Sequence, residues 1–333
     1  MNWYRFAEEA SRYEVRNAMI FEGIKKVVVI GMGGSGIVGD MVATIMQDLD
    51  KISIHVYKDF YVPKSFIDEN TFVLSISYSG NTLETITATL QALKLGAKIG
   101  IVASGGELID IASKARLPHI IIRQGLAPRA ALPLMLVASL KLLSMCGVAK
   151  VPLSVIEEAI AVLRDVNKAS QIALQLASFL NGSTMPLIIA TTRYAPLAVR
   201  FKNELNENSK MPAKVEIAPE LFHNDIVGWE RQRINGKAIV IGSDIDYENM
   251  LLDLYSDYLR SVGFDVFYLD LEGNILQRYL YGSLIIGLTS VELAQRSGID
   301  PLQTKSISMY KEFLKKNRER IERAVLEHGF KIQ

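Results

Sequence analysis

Two loops rich in glycine and hydroxyl side chains each follow an apolar run. Residues 31–36 (Gly-Met-Gly-Gly-Ser-Gly) come after the run 26–30, and residues 77–82 (Ser-Tyr-Ser-Gly-Asn-Thr) come after the run 71–76. Each loop then enters a pattern typical of an amphipathic helix. The free N–H groups of a helix N-terminus, with hydroxyls nearby, favour an anion such as phosphate. Two such loops from one sheet predict a phosphorylated small molecule held from two sides.

Other interpretations of these loops are weaker. The first loop resembles a dinucleotide-binding fingerprint, which needs an acidic residue after the second strand. Asp59 is available there, although Lys58 precedes it. A dinucleotide site would leave the second loop unexplained. A P-loop is excluded because no Lys-Ser or Lys-Thr follows the glycines. Helix capping alone would use Ser77, Ser79 or Thr82, yet these three hydroxyls with a glycine exceed what capping requires. The pattern therefore favours phosphate binding.

A carboxylate suited to proton transfer stands at the polar end of a predicted helix. Within residues 200–210, Asn206 and Asn208 flank Glu207, and asparagine is a poor residue for a helix interior. The position is therefore either a helix terminus or a functional site. Burial of Glu207 would raise its pKa toward the value that a general base needs. The alternative, a solvated helix face, fits the composition equally well.

His223 and Arg129 are the other residues with chemical potential. The chain has four histidines, none at metal-ligand spacing, so no metal site is expected. His55 and His119 lie within strand runs and are predicted to be structural, whereas His223 lies in a polar segment of the kind that often carries function. Arg129 follows Pro128 at the start of an apolar helix, where a cation opposes the helix dipole. We therefore expect Arg129 to face an anion.

These residues need a scaffold of parallel sheets, which the alternation of strand and helix patterns predicts. In the first half, strands are predicted at 26–30, 52–57, 71–76, 98–103 and 119–122, and helices at 3–23, 35–48, 81–95, 107–115 and 129–146. In the second half, strands are predicted at 186–190, 237–241 and 264–269, and helices at 195–208, 246–262 and 274–297. The expected fold class is α/β, with two subdomains, each a parallel β-sheet flanked by helices. The expected domains are 1–150, with the phosphate loops, and 151–333, with a C-terminal helix.

The second half repeats the order of the first but lacks its anion loop. In place of residues 77–82 it has residues 242–246 (Gly-Ser-Asp-Ile-Asp), whose two acids would repel a phosphate. We therefore expect a single, asymmetric site in each chain.

Composition limits the compartment and the partners. The chain has 333 residues, enough for two domains, and its formal net charge of +1 gives no reason to expect nucleic acid or membrane as a partner. The one cysteine, Cys146, lies in an apolar stretch, where a buried and inert thiol is expected. We find neither a signal-peptide core nor a run of about 18 uncharged apolar residues. A soluble, cytoplasmic protein is predicted.

Taken in order, these motifs resemble the SIS (sugar isomerase) domain family, and more closely the bifunctional phosphoglucose/phosphomannose isomerases. The resemblance spans nearly the whole chain. It is carried by residues 31–36, 77–85, 128–129, 206–210 (Asn-Glu-Asn-Ser-Lys), 223–225 (His-Asn-Asp) and 300–311. It implies two SIS-type units and an aldose–ketose isomerase that needs no cofactor or metal. The implied reaction interconverts glucose 6-phosphate and mannose 6-phosphate with fructose 6-phosphate through a cis-enediol(ate).

The resemblance also implies roles for the candidate residues. The phosphate-binding groups would be Gly34, Ser35, Ser77, Ser79 and Thr82. Glu207 would be the general base, with Glu204 as a competing candidate on nearly the same helix face. Arg129 would stabilise the developing enediolate.

Ring opening and tolerance of the C2 epimer are implied for residues elsewhere in the chain. His223 and Lys311 would open the sugar ring, with His223 reaching in from the other subunit of a homodimer. Thr304 would lie near C2 and C3, where a small side chain lets the open chain rotate and so admits mannose 6-phosphate. Lys305 is a rival to Lys311, because the C-terminal segment departs most from the family pattern.

Two other functions remain open at this point. A SIS-type regulator would bind sugar phosphate without catalysis, although it would need no base. An NAD-dependent oxidoreductase is the second alternative, and NAD binding without protection by fructose 6-phosphate would favour it.

Overall fold

The chain divides into two compact units. The computed structural model describes residues 2–49, 52–231 and 235–330. One unit consists of Met1–Glu157 with Thr304–Gln333, and the other of Glu158–Gln303. The expected boundary at residue 150 therefore lies close to the first division, but the C-terminal segment belongs with the first unit.

The first unit is built on a parallel sheet of five strands. They are β1 (Lys26–Ile30), β2 (Ser53–Tyr57), β3 (Thr71–Ser77), β4 (Lys98–Ala103) and β5 (His119–Ile121), in the order β2-β1-β3-β4-β5. Each agrees with a predicted strand to within one residue at either end. Central strands of a parallel sheet are covered on both faces, so they form continuous apolar runs that stand out in a sequence.

Five helices of the first unit come before residue 150. They are α1 (Trp3–Arg12), α2 (Gly33–Leu49), α3 (Leu83–Lys94), α4 (Glu107–Lys114) and α5 (Leu132–Met145). The helix predicted at 3–23 is wrong in its length, because α1 ends at Arg12. Tyr13 is extended (φ −59°, ψ 140°), and Arg16 pairs with His119 through two backbone hydrogen bonds of 2.9 and 3.0 Å. Pairing with the sheet edge therefore competes successfully with the helical pattern.

Helix α5 is the apolar centre of the first unit. The window Pro128–Met145 has a mean hydropathy of 1.3, high enough for a membrane span by length and composition, and 72% of it is buried within the fold. The window is apolar because its helix is buried in the core of the first unit. Cys146, which follows it, is buried as predicted, and burial raises the pKa of its thiol to about 11. The thiol is therefore protonated at neutral pH and inert.

The second unit is built on a parallel sheet of four strands. They are β6 (Leu187–Thr191), β7 (Lys214–Ala218), β8 (Gly236–Ile241) and β9 (Phe264–Leu269), in the order β7-β6-β8-β9. Strand β7 was not predicted. Lys214 and Glu216 interrupt its apolar pattern, and the Glu216 side chain is nevertheless fully buried. The two parallel sheets with flanking helices confirm the predicted fold class.

In the described part of the chain, five helices lie between α5 and the C-terminal helix. They are α6 (Leu153–Ala161), α7 (Val166–Leu180), α8 (Ala195–Glu204), α9 (Asp246–Ser261) and α10 (Ile275–Arg296). The helix predicted at 195–208 ends as α8 at Glu204 and continues as a π-helical turn, Leu205–Ser209.

The C-terminal helix α11 (Lys305–Phe330) belongs to the first unit, where it contacts α3 and α4. The Tyr310 hydroxyl donates a hydrogen bond to Glu84 Oε1 at 2.7 Å. Arg318 forms a two-point ion pair with Glu107, at 2.7 and 2.9 Å. Tyr310, Leu314 and Arg318 are spaced by four residues, so they share one face of the helix. This differs from the expected domain 151–333, because the pattern of α11 alone does not show which unit its face covers.

Candidate active-site elements

The two predicted phosphate loops lie side by side in the first unit. They follow β1 and β3, which are neighbours in the sheet. A Cβ on Gly31 would lie 3.0 Å from the carbonyl oxygen of Ile76. The backbone N–H of Tyr78 donates to the Ser35 hydroxyl at 3.2 Å. The first loop is thus joined directly to the second.

Hydroxyl contacts shape the second loop from within. The Ser77 and Thr82 hydroxyls are 3.0 Å apart, and the Gly80 N–H lies 3.2 Å from Ser77 Oγ. The Ser79 side chain is exposed, and its hydroxyl accepts from the Asn81 N–H at 3.3 Å. Thr82 is the N-cap residue of α3 but makes no side-chain capping hydrogen bond. Capping therefore does not account for the Thr82 hydroxyl.

A third loop, which the sequence analysis missed, supports the second. Gly80 has φ +68°, and a Cβ there would lie 1.7 Å from the carbonyl oxygen of Gly105, so only glycine fits. Asn81 Oδ1 accepts from the N–H of Glu107 at the start of α4. The signal that could have revealed this loop is Ser104-Gly105-Gly106, a run of small residues directly after β4.

Tyr78 connects these loops to the segment that carries Arg129. The Tyr78 carbonyl accepts from the Ser104 N–H, and its hydroxyl accepts from the Leu126 N–H, both at 2.8 Å. A Cβ on Gly34 would lie 3.6 Å from the backbone nitrogen of Arg129. The Arg129 side chain is half-buried. The structure therefore brings the backbone of Arg129 next to the first loop.

Tyr78→Phe tests this connection. The variant keeps the aromatic ring and both backbone hydrogen bonds but removes the acceptor for Leu126, three residues before Arg129. We expect kcat for the isomerisation that the sequence resemblance implies to fall about tenfold, because a small displacement of Arg129 is costly in the role that the resemblance implies for it.

Tyr13→Phe is a matched control, since the Tyr13 hydroxyl accepts from the Arg123 N–H at 3.0 Å, further from Arg129. Steady-state kinetics of both variants measure whether kcat depends specifically on the Tyr78 hydroxyl. An equal loss of kcat in both would indicate general loosening of the segment and contradict a specific role for Tyr78.

Lys58 is a further cation beside the first loop that the sequence analysis did not select. A Cβ on Gly36 would lie 3.1 Å from Lys58 Cε, and the Lys58 ammonium pairs with Asp40 on α2. Burial raises the pKa of Asp40, an effect that Lys58 partly offsets. Asp59, which the dinucleotide interpretation requires, accepts a hydrogen bond from the N–H of Phe60.

In the second unit, the carboxylate buried at the end of α8 is Glu204, not Glu207. Arg200 Nη2 donates to Glu204 Oε1 at 2.6 Å, and Asn208 Nδ2 donates to Glu204 Oε2 at 2.7 Å. Asn208 also donates to Ser290 Oγ at 2.9 Å. Glu204 is therefore committed to a buried ion pair.

Glu207 lies on the π-helical turn and is half-buried. The turn ends at Lys210, which is left-handed (φ 57°), and Lys210 Nζ donates to the backbone carbonyl of Glu207 at 2.6 Å. Single π-helical turns occur frequently at functional sites. Glu207 therefore lies between the two alternatives that the sequence left open, a buried carboxylate and a solvated helix face, and it is the more exposed of the two glutamates.

His223 is exposed and lies on a short 3₁₀ helix, Glu220–His223. This helix follows the carboxyl end of β7, whereas the turn with Glu207 leads into the amino end of the same strand. His119, by contrast, is buried in β5, and its Nδ1 lies 2.8 Å from the Leu117 carbonyl oxygen, as predicted for a structural residue.

The C-terminal candidates belong to the first unit, with the two predicted phosphate loops. Thr304 is half-buried, and its carbonyl accepts from the N–H of Ser308 at 3.1 Å. Lys305 and Lys311 are both exposed on α11. Lys311 directly follows Tyr310, whose hydroxyl is held by Glu84 in α3. Within the described ranges, no group of three or more His, Cys, Asp or Glu side chains could hold a metal ion.

Two families match successive parts of the chain. Residues 20–145 match the SIS domain, and residues 166–314 match the bacterial phospho-glucose isomerase C-terminal SIS domain. Solved structures share the fold. A hypothetical protein from Thermus thermophilus has a TM-score of 0.76 at 15% identity, with 95% of this chain and 90% of that chain covered. The tagatose-6-phosphate ketose/aldose isomerase of Escherichia coli has a TM-score of 0.64 at 13% identity, with coverages of 90% and 87%.

Curated relatives match nearly end to end. The bifunctional phosphoglucose/phosphomannose isomerase of Aeropyrum pernix is 33% identical over 328 residues, 93% of this chain and 95% of the relative. The protein of that name from Aquifex aeolicus is 33% identical over 300 residues, with coverages of 88% and 91%. The D-glucosamine-6-phosphate 4-epimerase of Sulfolobus acidocaldarius is 29% identical over 313 residues, with coverages of 93% and 95%. By this identity and coverage, the chain belongs to the bifunctional phosphoglucose/phosphomannose isomerases and is a sugar-phosphate isomerase.

Proposed function

We propose that the protein interconverts glucose 6-phosphate and mannose 6-phosphate with fructose 6-phosphate, with Glu207 as the general base. The observation that carries the proposal is the cluster of hydroxyl-rich loops beside Arg129 in a chain whose relatives are named for these two isomerisations. Such a site suits a phosphorylated, reacting sugar.

The phosphate is assigned to the first unit. Helices α2 and α3 begin just after β1 and β3, which end at one edge of the sheet, and the positive end of a helix dipole favours an anion there. The exposed Ser79 and half-buried Thr82 offer hydroxyls directly, with the Gly34 backbone. Ser35 and Ser77 are buried and hold the shape of the two loops. Binding of the distant phosphate positions the reacting carbons.

The proton transfer is assigned to the second unit. Glu207 removes the proton from C2 of an aldose and returns it to C1, while the carbonyl oxygen at C1 becomes a hydroxyl and the C2 hydroxyl becomes a carbonyl. The intermediate is a cis-enediol(ate), whose negative oxygen Arg129 stabilises. The C2–H and O2–H bonds are broken and C1–H and O1–H bonds are formed within one molecule. The reaction therefore requires neither nicotinamide nor metal.

The remaining candidates act before and during this transfer. His223 and Lys311, or Lys305 in its place, open the sugar ring. Thr304 leaves room near C2 and C3 for the rotation that admits mannose 6-phosphate. We propose a cytoplasmic homodimer in which the partner copy supplies His223, with a role in glycolysis and gluconeogenesis.

A two-substrate assay tests the proposal. Fructose 6-phosphate is incubated with the protein and EDTA, and the formation of glucose 6-phosphate and of mannose 6-phosphate is measured by separate coupled enzymes. Both products are expected. Ser79→Ala should raise KM about tenfold for each, because it removes one hydrogen bond to a charged group. Ser113→Ala, which changes an exposed hydroxyl on α4, is the control and should leave KM unchanged.

The outcomes separate the possible functions. Formation of glucose 6-phosphate alone would refute the dual specificity. Binding of fructose 6-phosphate without any turnover would favour a regulator. Because one relative is named for a 4-epimerase, D-glucosamine 6-phosphate is assayed in parallel, and its exclusive turnover would overturn the proposed substrates.

A further inference from the structure

A continuous series of hydrogen bonds begins and ends at two residues of the segment that follows β7. The indole N–H of Trp229 donates to the Tyr255 hydroxyl at 3.1 Å, and this hydroxyl donates to Glu216 Oε2 at 2.5 Å. The Lys214 ammonium donates to Glu216 Oε1 at 2.6 Å and to Asp225 Oδ1 at 2.8 Å. The network thus joins Asp225 and Trp229 to each other through β7 and α9.

The network is buried at its centre. The side chain of Glu216 is 0% exposed, and Tyr255 belongs to the core of the second unit. Burial, and then the hydrogen bond to Glu216, raise the pKa of the Tyr255 hydroxyl. Burial alone would lower the pKa of Lys214, but its two carboxylate partners raise it. Lys214 Nζ also lies 5.1 Å from the centre of the Trp229 ring. Both carboxylate oxygens of the buried Glu216 and the hydroxyl of Tyr255 therefore have partners suited to their charge.

The network and the neighbouring Tyr258, whose ring stacks on Tyr255, anchor both flanks of an exposed histidine. On one side of His223, the ring of Phe222 packs edge-on against Tyr255, with centroids 5.7 Å apart. On the other side, the backbone carbonyl of Ile226 accepts from the Tyr258 hydroxyl at 3.1 Å. His223 itself projects from this anchored segment with its side chain exposed.

A purely stabilising role is a poor explanation of these residues. Buried ionic groups are weak contributors to stability, and apolar residues of similar volume often stabilise as well or better. What a fully satisfied polar network provides is a single, directional arrangement of the segments that it joins. The segment joined here is the one that presents His223.

We infer that Lys214, Glu216, Tyr255 and Trp229 form a positioning network that fixes His223 in the orientation needed for catalysis. The inference rests on the proposed role of His223 in ring opening. None of the four residues touches the substrate in this account, because each acts through the backbone on either side of His223.

Tyr255→Phe is the decisive variant. It keeps the ring contact with Phe222 but interrupts the network at its centre. We expect kcat to fall about tenfold with KM unchanged, since phosphate binding lies elsewhere in the chain. Tyr268→Phe is the matched control, because its hydroxyl also has two partners, Asp253 at 2.6 Å and Ser256 at 2.9 Å, outside the network. Tyr268→Phe should leave kcat within twofold.

Two readouts separate positioning from general destabilisation. In a His223→Gln background, Tyr255→Phe should cause less than a further twofold loss of kcat, because a positioning network has nothing left to position. The side-chain NMR signal of His223, assigned by its disappearance in His223→Gln, should shift or broaden in Tyr255→Phe. The signals of His55 and His119 should stay unchanged.

The possible failures are distinguishable. A tenfold loss in both backgrounds, an equal loss in Tyr268→Phe, or an unmoved His223 signal would overturn the positioning network. If residual activity of His223→Gln is too low for a ratio, the NMR signal decides. If His223→Gln leaves kcat unchanged, the proposed role of His223 fails, whatever Tyr255→Phe does to the signal.

Discussion

Glu207→Gln is expected to lower kcat by about a thousandfold while the free energy of unfolding stays within about 0.5 kcal/mol of the wild type. The amide cannot take up the proton from C2, but it keeps the size and hydrogen-bonding reach of the carboxyl group. Glu207 is half-buried on a π-helical turn, and Gln matches the carboxyl group in shape, so we expect little change in packing. Affinity for fructose 6-phosphate should persist, because the phosphate loops belong to the first unit.

Coupled assays and titration calorimetry with fructose 6-phosphate measure the two halves of this prediction. Glu312→Gln, an exposed change on α11, is the control and should alter neither quantity. Wild-type turnover in Glu207→Gln with sugar phosphate still bound would show that Glu207 is not the base.

Glu204→Gln is expected to have the opposite profile, with a loss of about 3 kcal/mol in the free energy of unfolding. The side chains of Arg200 and Glu204 are 2% and 4% exposed, and their Nη2 and Oε1 atoms lie 2.6 Å apart. The variant removes the negative charge that offsets a buried guanidinium. It also weakens the hydrogen bond from Asn208, which is 2.7 Å long and holds the π-helical turn. Any loss of activity should therefore accompany a loss of stability.

Urea unfolding measures the effect, and Glu8→Gln is the control. Glu8 and Arg12 also form a pair spaced by four residues on a helix, but their side chains are 36% and 74% exposed. A pair of that kind contributes only about 0.3–0.5 kcal/mol. Equal losses in the two variants would contradict the account of Glu204 as a structural carboxylate. A folded Glu204→Gln without activity would make Glu204 the better candidate for the base.

Much of the fold could be predicted because the two sheets are parallel. Strands covered on both faces form apolar runs, so β1 to β5 were found with nearly correct ends. The edge strand β7 was missed because Lys214 and Glu216 break its pattern. Their charges become compatible with a strand only through Tyr255, Asp225 and each other. These partners are distant in sequence, so local pattern gives no sign of them.

The proximity of the two glycine- and hydroxyl-rich loops was also predictable, for a topological reason. Neighbouring parallel strands end at the same edge of a sheet, so loops 31–36 and 77–82 had to lie close together once both strands were recognised. The role of Tyr78 as a link between three loops could not be predicted. Its three hydrogen bonds reach Ser35, Ser104 and Leu126, and only the folded chain brings those partners to one residue.

By itself, the sequence determined the α/β class, the two units, the pair of glycine- and hydroxyl-rich loops and the polar helix end with Glu204 and Glu207. These depend on periodicity and on residue types close together along the chain. Only the tertiary structure decided that Glu204 is the buried partner of Arg200 and that α11 packs on the first unit. Burial and ion pairing depend on contacts between distant segments, and two glutamates three residues apart look alike until those contacts form.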